Sequence, residues 1–194
     1  MKKSILLITL SIPLLLLQDC KSKGKNFTET SDTLKFFPVN LYIKGQIAKV
    51  DSLASTIYKI TINNNSGVKD TITINKQQFN NLAQDFLAYD ISDKHIHKYY
   101  KENVFADETT QSLTFNYTAM DSSLPLQSVD VLLDQTGQQL KNVFFSKTIT
   151  QGDSTVTEKC GWTNDKSFFI NRVTEYADNT TTTQQNIIVW MFQP

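Results

Sequence analysis

The sequence predicts an α+β domain, with N-terminal helices and a β-hairpin packed on a curved antiparallel sheet of about six meander strands. Three observations predict it. Apolar residues recur at helical spacing before residue 100, they alternate with polar ones at period two from Gln111 onward, and turn-forming clusters cut that second stretch into strand-length segments. An excess of uncharged polar residues, 23 Thr, 15 Asn and 14 Gln, suits solvated strand faces and their turns.

The elements follow in order. Pro38 suits a first helical position, and Val39, Ile43, Ile47 and Val50 form one apolar stripe, so a helix of about twelve residues begins there. Ser55 to Ile62 and Val68 to Ile74 are rich in Ile, Thr and Val; joined through Asn63-Asn64-Asn65-Ser66-Gly67, they predict a hairpin. Asn75 caps a second helix, where Phe79, Leu82, Ala83, Phe86 and Leu87 share a face. Ser92 caps a short third helix with Ile96, Tyr99 and Tyr100 on one side. Six strands then follow, around Leu113 to Ala119, Leu126 to Asp134, Leu140 to Thr150, Ser154 to Trp162, Lys166 to Tyr176 and Thr181 to Phe192. Their separators, such as Gln135-Thr136-Gly137 and Gln151-Gly152-Asp153, are turn chemistry.

The late strands are apolar on both faces: Phe168 and Ile170 oppose Phe169 and Val173, and Ile187, Val189 and Met191 oppose Ile188, Trp190 and Phe192. A sheet covered on one side alternates cleanly, so these strands ask for further cover. The helices and the sheet's own curvature supply it in one reading; a partner protein or an apolar ligand supplies it in the other.

At 194 residues, one domain is expected. Lys+Arg and Asp+Glu balance at 19 each, and Arg172 is the sole arginine. Phosphate and base recognition draw on clustered cationic side chains, so nucleic acid is excluded as an expected partner.

The first twenty residues carry an address. Lys2-Lys3 precede an apolar run of 14 residues from Ser4 to Leu17, short of the ~20 that span a bilayer and interrupted by Pro13. This is a secretory signal. Leu17-Gln18-Asp19-Cys20 resembles the lipobox of bacterial lipoproteins, departing from it at Asp19, where the family pattern has Gly, Ala or Ser. The resemblance implies cleavage before Cys20 and lipidation of its thiol. Because Lys21 replaces the Asp that retains such proteins in the inner membrane, it also implies an outer-membrane lipoprotein of the cell envelope, facing the periplasm. A plain signal peptide cut elsewhere is the alternative. The expected organisation is a signal at 1–19, a lipidated tether at 20–35 and a single domain at 36–194. Removing 1–19 leaves 17 basic and 18 acidic side chains, a net of −1. The tether, with little apolar content beyond Phe27, holds the domain within roughly 20 to 25 Å of the membrane. Helices followed by a curved antiparallel sheet are also similar to the NTF2-like cone and to lipoprotein-carrier half-barrels, although the element order matches neither.

Candidate sites are few. If Cys20 carries lipid, Cys160 has no disulfide partner and reads as a half-buried strand residue. His95 and His97, near Asp90 and Asp93, point apart on a helix and cannot chelate one ion. Asp107-Glu108 reads as a solvated acidic pair. No nucleophile elbow, zinc helix, P-loop or dinucleotide motif occurs, and no cofactor or metal is expected. Two functional readings follow. One is a non-catalytic binding or interaction module at the outer membrane, using Trp162, Phe169, Trp190 and Phe192 on an apolar ligand or an envelope protein. The other is an enzyme on a cone-shaped fold with a pocket built from Tyr99, Tyr100, Asp107 or Arg172.

Overall fold

The computed structural model describes residues 36–63 and 66–192. The signal at 1–19, the tether at 20–35 and the lipidation site Cys20 lie outside the described residues.

Two helices form where the apolar stripes place them. The first, α1 (Val39–Leu53), begins one residue after Pro38, which serves as N-cap, and buries Val39, Ile43 and Val50. Gln46 lies on the same face and is buried with them, since its amide bonds Asn164 and Asp165 in a turn of the sheet. The second, α2 (Lys76–Ala83), starts with a capping box: Asn75 accepts from the Gln78 backbone N–H, and the Gln78 side chain accepts from that of Asn75. It tightens into a 3₁₀ turn at Gln84–Phe86, which carries Phe86 onto the sheet beside Phe79.

The remaining elements are strands: β1 (Ala54–Asn63), β2 (Val68–Ile74), β3 (Tyr100–Asp107), β4 (Ser112–Ala119), β5 (Leu126–Asp134), β6 (Leu140–Gln151), β7 (Ser154–Thr163), β8 (Ser167–Tyr176) and β9 (Thr181–Phe192). They form one antiparallel sheet in the order β2-β1-β9-β8-β7-β6-β5-β4-β3.

This corrects the expected α+β class. Helices do not share the architecture with a six-stranded meander; among the described residues nine strands make a single sheet, and two short helices lie against it. The hairpin is not packed on the sheet but is part of it. β1 pairs with β9 from Thr56 opposite Met191 to Asn63 opposite Gln184. The physical reason is that alternation reveals a strand but not its neighbour. A strand ending a meander has a row of unpaired backbone groups, and any later or earlier strand of matching length can satisfy them.

The third helix is also corrected. Residues 91–96 are turns, His97–Tyr99 is a single 3₁₀ turn, and Tyr100 opens β3. Asp90 accepts the backbone N–H of Ser92, and Asp93 that of His95, local bonds that compete with helix formation. β3 then finds eight partners on β4, and the buried Tyr100 hydroxyl donates to the Leu126 carbonyl.

Both helices lie on one face of the sheet, the inner face. Phe79 and Phe86 pack among Phe145, Trp162, Phe168 and Trp190, with Trp162 stacked on Phe168 at 5.0 Å between centroids. Edge-to-face and offset geometries dominate this cluster, the arrangements that complementary ring quadrupoles favour.

Candidate interaction face

Side chains alternate across a strand, so the register identifies the opposite, outer face. There Ile60 of β1 lies opposite Ile187 of β9, Ile187 opposite Phe169 of β8, Phe169 opposite Gly161 of β7, and Gly161 opposite Phe144 of β6. Tyr58 and Val189, themselves paired, continue the apolar surface in the next row. The row crosses five strands, roughly 19 Å at ordinary strand spacing. All six of these apolar side chains are half-buried, and none packs against the hydrophobic core. Among the described residues, neither helix lies over them, because both are committed to the inner face.

Gly161 shapes the centre of this stripe. A Cβ there would clash with the rings of both Phe169 and Phe144, which fold over the bare backbone from the two flanking strands. Their centroids stand 6.4 Å apart. The glycine thus lets two aromatic side chains bridge a central strand, a device otherwise used to shield glycines in sheets.

The four aromatic residues expected at a binding surface separate accordingly. Trp162, with no exposed surface, and Trp190, 3% exposed, belong to the inner core and are not available to a partner. Phe192 packs partly against that core under Lys49 of α1, whose ammonium lies 5.1 Å from the ring centroid. Phe169 alone sits on the outer face. Ile60, Phe144, Ile187 and Val189 join it without having been singled out; the signal for them was the two-sided pattern of the late strands and a glycine inside one of them.

The inner face carries the second chemical feature, which sequence reading also missed. Lys147, Glu158 and Arg172 lie directly opposite one another on β6, β7 and β8. Lys147 and Glu158 are almost fully buried and 3.1 Å apart, and Lys147 also donates to the Asp85 carbonyl at 2.6 Å. Arg172 holds the other Glu158 oxygen through Nε at 3.0 Å and Nη2 at 2.6 Å. Burial by itself raises the Glu158 carboxyl, but the Lys147 ammonium and the Arg172 guanidinium outweigh it and hold it below the usual carboxylate range. Asp85, partly buried and facing Glu158, is pushed up instead. Two cations and two anions close on each other, and the lysine bond to the Asp85 carbonyl pins the 3₁₀ turn after α2 to the sheet. The cluster is a structural clasp.

The residues expected of an enzyme pocket are not brought together. Arg172 belongs to the clasp, Tyr100 is buried at the start of β3, and Tyr99 is exposed beside it. Asp107 caps the turn at the far end of β3, where the Thr110 hydroxyl and the backbone N–H groups of Thr110 and Thr109 hold its carboxyl below the usual range. β8 and β3 are five strand spacings apart, roughly 24 Å along the sheet. His97 contacts the edge of Phe36 at 5.4 Å, and no group of metal-ligating side chains occurs among the described residues. Cys160 is buried, with its thiol pushed up by desolvation, and donates to Glu158. Surface depressions lined by Gln151, Tyr176 and Asp178, and by Lys59, Ile72 and Gln78, are shallow and hold no converging polar set.

Comparison with protein-family models, with curated proteins and with solved structures finds no match for this chain.

Proposed function

We propose that the chain is a cell-envelope lipoprotein, anchored through Cys20, whose domain is a non-catalytic interaction module binding an envelope protein through the outer face of its sheet. The observation that supports this reading is the aligned row of Ile60, Ile187, Phe169 and Phe144, which no helix covers among the described residues. Monomeric surfaces seldom keep a contiguous apolar stripe unless something docks on it. A protein partner is favoured over an apolar ligand because the inner face, where a small molecule would be enclosed, is filled by Phe79, Phe86, Trp162 and Trp190. A stripe running across the open face of a sheet suits a second macromolecular surface, with Phe169 as the aromatic anchor.

The test places a photo-crosslinking amino acid at Phe169 or, as a control, at Thr118, which is exposed on the same face but away from the stripe. A discrete adduct at 169 that Ile187→Asp removes is the expected result. Equal labelling at both positions, or none at 169, overturns the reading. The anchor is tested separately: Cys20→Ala abolishes incorporation of labelled palmitate and releases the protein from the membrane fraction, and an unchanged lipid label refutes lipidation at Cys20.

A further inference from the structure

The sheet is open, and both edge strands expose apolar side chains: Val68 and Ile72 of β2 at one end, 59% and 46% accessible, and Val104 and Phe105 on the two faces of β3 at the other, 50% and 53% accessible. The edges differ in where their charges stand. β3 pairs with β4 over eight consecutive residues with no bulge, so its outer side offers an unbroken row of backbone donors and acceptors. It contains no proline and no helix covers it among the described residues. Open edges of this kind are what strand addition uses.

We propose that β3 pairs with β3 of a second copy of this chain, antiparallel and with Val104 opposite itself, joining the two sheets edge to edge. A two-fold axis perpendicular to the sheet requires one residue to face its own copy, so the candidate registers are centred on successive residues. Centred on Val104, the pairing sets Lys101 opposite Asp107 of the second copy, and the symmetry repeats that pair at the other end. Phe105 then packs against Asn103 on the outer face, and Val104 meets Val104 on the inner face. Centring on Phe105 sets Lys101 opposite Thr109 and Asp107 opposite Asn103, and centring on Asn103 sets Lys101 opposite Phe105 and Asp107 opposite Tyr99, so neither register pairs the two strand charges. Opposite charges directly across a ladder favour a register, and like charges oppose it. Asp107 is held ionised by its turn, and neither it nor Lys101 has an ion-pair partner among the described residues. The β2 edge has no equivalent. Its Lys69 and Asp70 are adjacent, point to opposite faces, and cannot stand opposite each other across a two-fold axis perpendicular to the sheet.

Single cysteines in the full chain read this register directly. Residues facing each other across an antiparallel ladder have Cα atoms about 4.5 to 5.5 Å apart, within the roughly 4.4 to 6.8 Å that a disulfide spans. Under mild oxidation with copper phenanthroline, Val104→Cys is expected to give a disulfide-linked dimer. Asn103→Cys and Phe105→Cys are each expected to stay monomeric alone, because self-pairs there are diagonal at roughly 7 to 8 Å, and to couple when mixed. The unsubstituted chain is the blank. Lys101→Glu, introduced beside Val104→Cys, is expected to cut the dimer yield several-fold, while Lys101→Arg retains it; a circular dichroism spectrum matching the parent confirms that each variant is folded. A monomeric Val104→Cys, equal self-coupling at 103, 104 and 105, or a yield indifferent to Lys101→Glu each overturns the proposal.

Discussion

Across strands β6 to β9 the inner and outer faces carry similar side chains and put them to different uses. On the inner face, Trp162, Phe168 and Trp190 meet Phe79 and Phe86 of the α2 region and lose nearly all contact with water. One residue along each strand, Phe169, Ile187 and Val189 face outward and stay half-buried, supported among the described residues by their cross-strand neighbours. Hydrophobicity is nearly equal on the two sides, but the number of surrounding groups is not. Substitutions should therefore separate the faces: inner residues govern stability, and outer residues govern what the sheet can bind.

The largest effect is expected at the centre of the inner face. Trp162→Ala removes a ring packed against Phe86, Phe168 and Trp190 and should cost about 3 to 5 kcal/mol, measured by urea unfolding. A loss no greater than that of Phe169→Ala would erase the distinction between the faces.

Next comes the clasp. Glu158→Gln leaves the buried Lys147 ammonium without its counter-charge, an expected loss of about 3 kcal/mol at neutral pH. The sign with pH follows from the direction of the shift. A carboxyl held low in the folded state contributes stability above its unfolded value near 4.3, and that contribution is lost as pH falls through the folded value. The parent chain should thus lose stability steeply on acidification below about pH 4.3. Asp85 has the opposite shift and acts in the opposite direction, weakening the fold as it ionises with rising pH. Melting temperatures of parent and Glu158→Gln across pH 2.5 to 7 test this: the gap between them should narrow toward the acid end, and a constant gap would remove the clasp from the account.

Gly161→Ala probes the outer face alone. Its methyl group must displace the Phe144 and Phe169 rings, an overpacking cost of about 1 to 3 kcal/mol. The same substitution should weaken crosslinking at Phe169, since its ring is displaced from the strand. The smallest change is expected at Ile187→Ser, which should alter stability by about 1 kcal/mol or less while reducing partner capture. A thermal scan and the crosslinking yield, read together, check that the two quantities part company on this face.

Much of the chain was legible locally. The Asn75 cap with Phe79, Ala83 and Phe86, the turns at Gly137 and Gly152, and most strand limits follow from short-range patterns that local sterics and hydrogen bonds enforce. Residues 91–107 were not legible, because Asx turns there imitate a helix start and an edge strand with both faces exposed lacks the alternation that marks a strand. Trp162 and Trp190 are candidates for both a binding surface and the core from the sequence, because composition shows a large aromatic side chain and not which side of a sheet it faces. Lys147 and Glu158 are 11 residues apart and look like ordinary strand polarity until β6 and β7 set them side by side.

By itself, the sequence determined the helical stripes, the turns, the antiparallel succession from β4 to β9 and the two-sided character of the late strands. Each depends on interactions within a few residues, or on a period that one strand displays alone. Only the tertiary structure decided that β1 closes on β9, that α1 and α2 cover one face and leave the other, and that the only arginine meets a buried glutamate and lysine. Backbone pairing is nearly indifferent to sequence, so these choices belong to which surfaces could be buried together once every strand had formed.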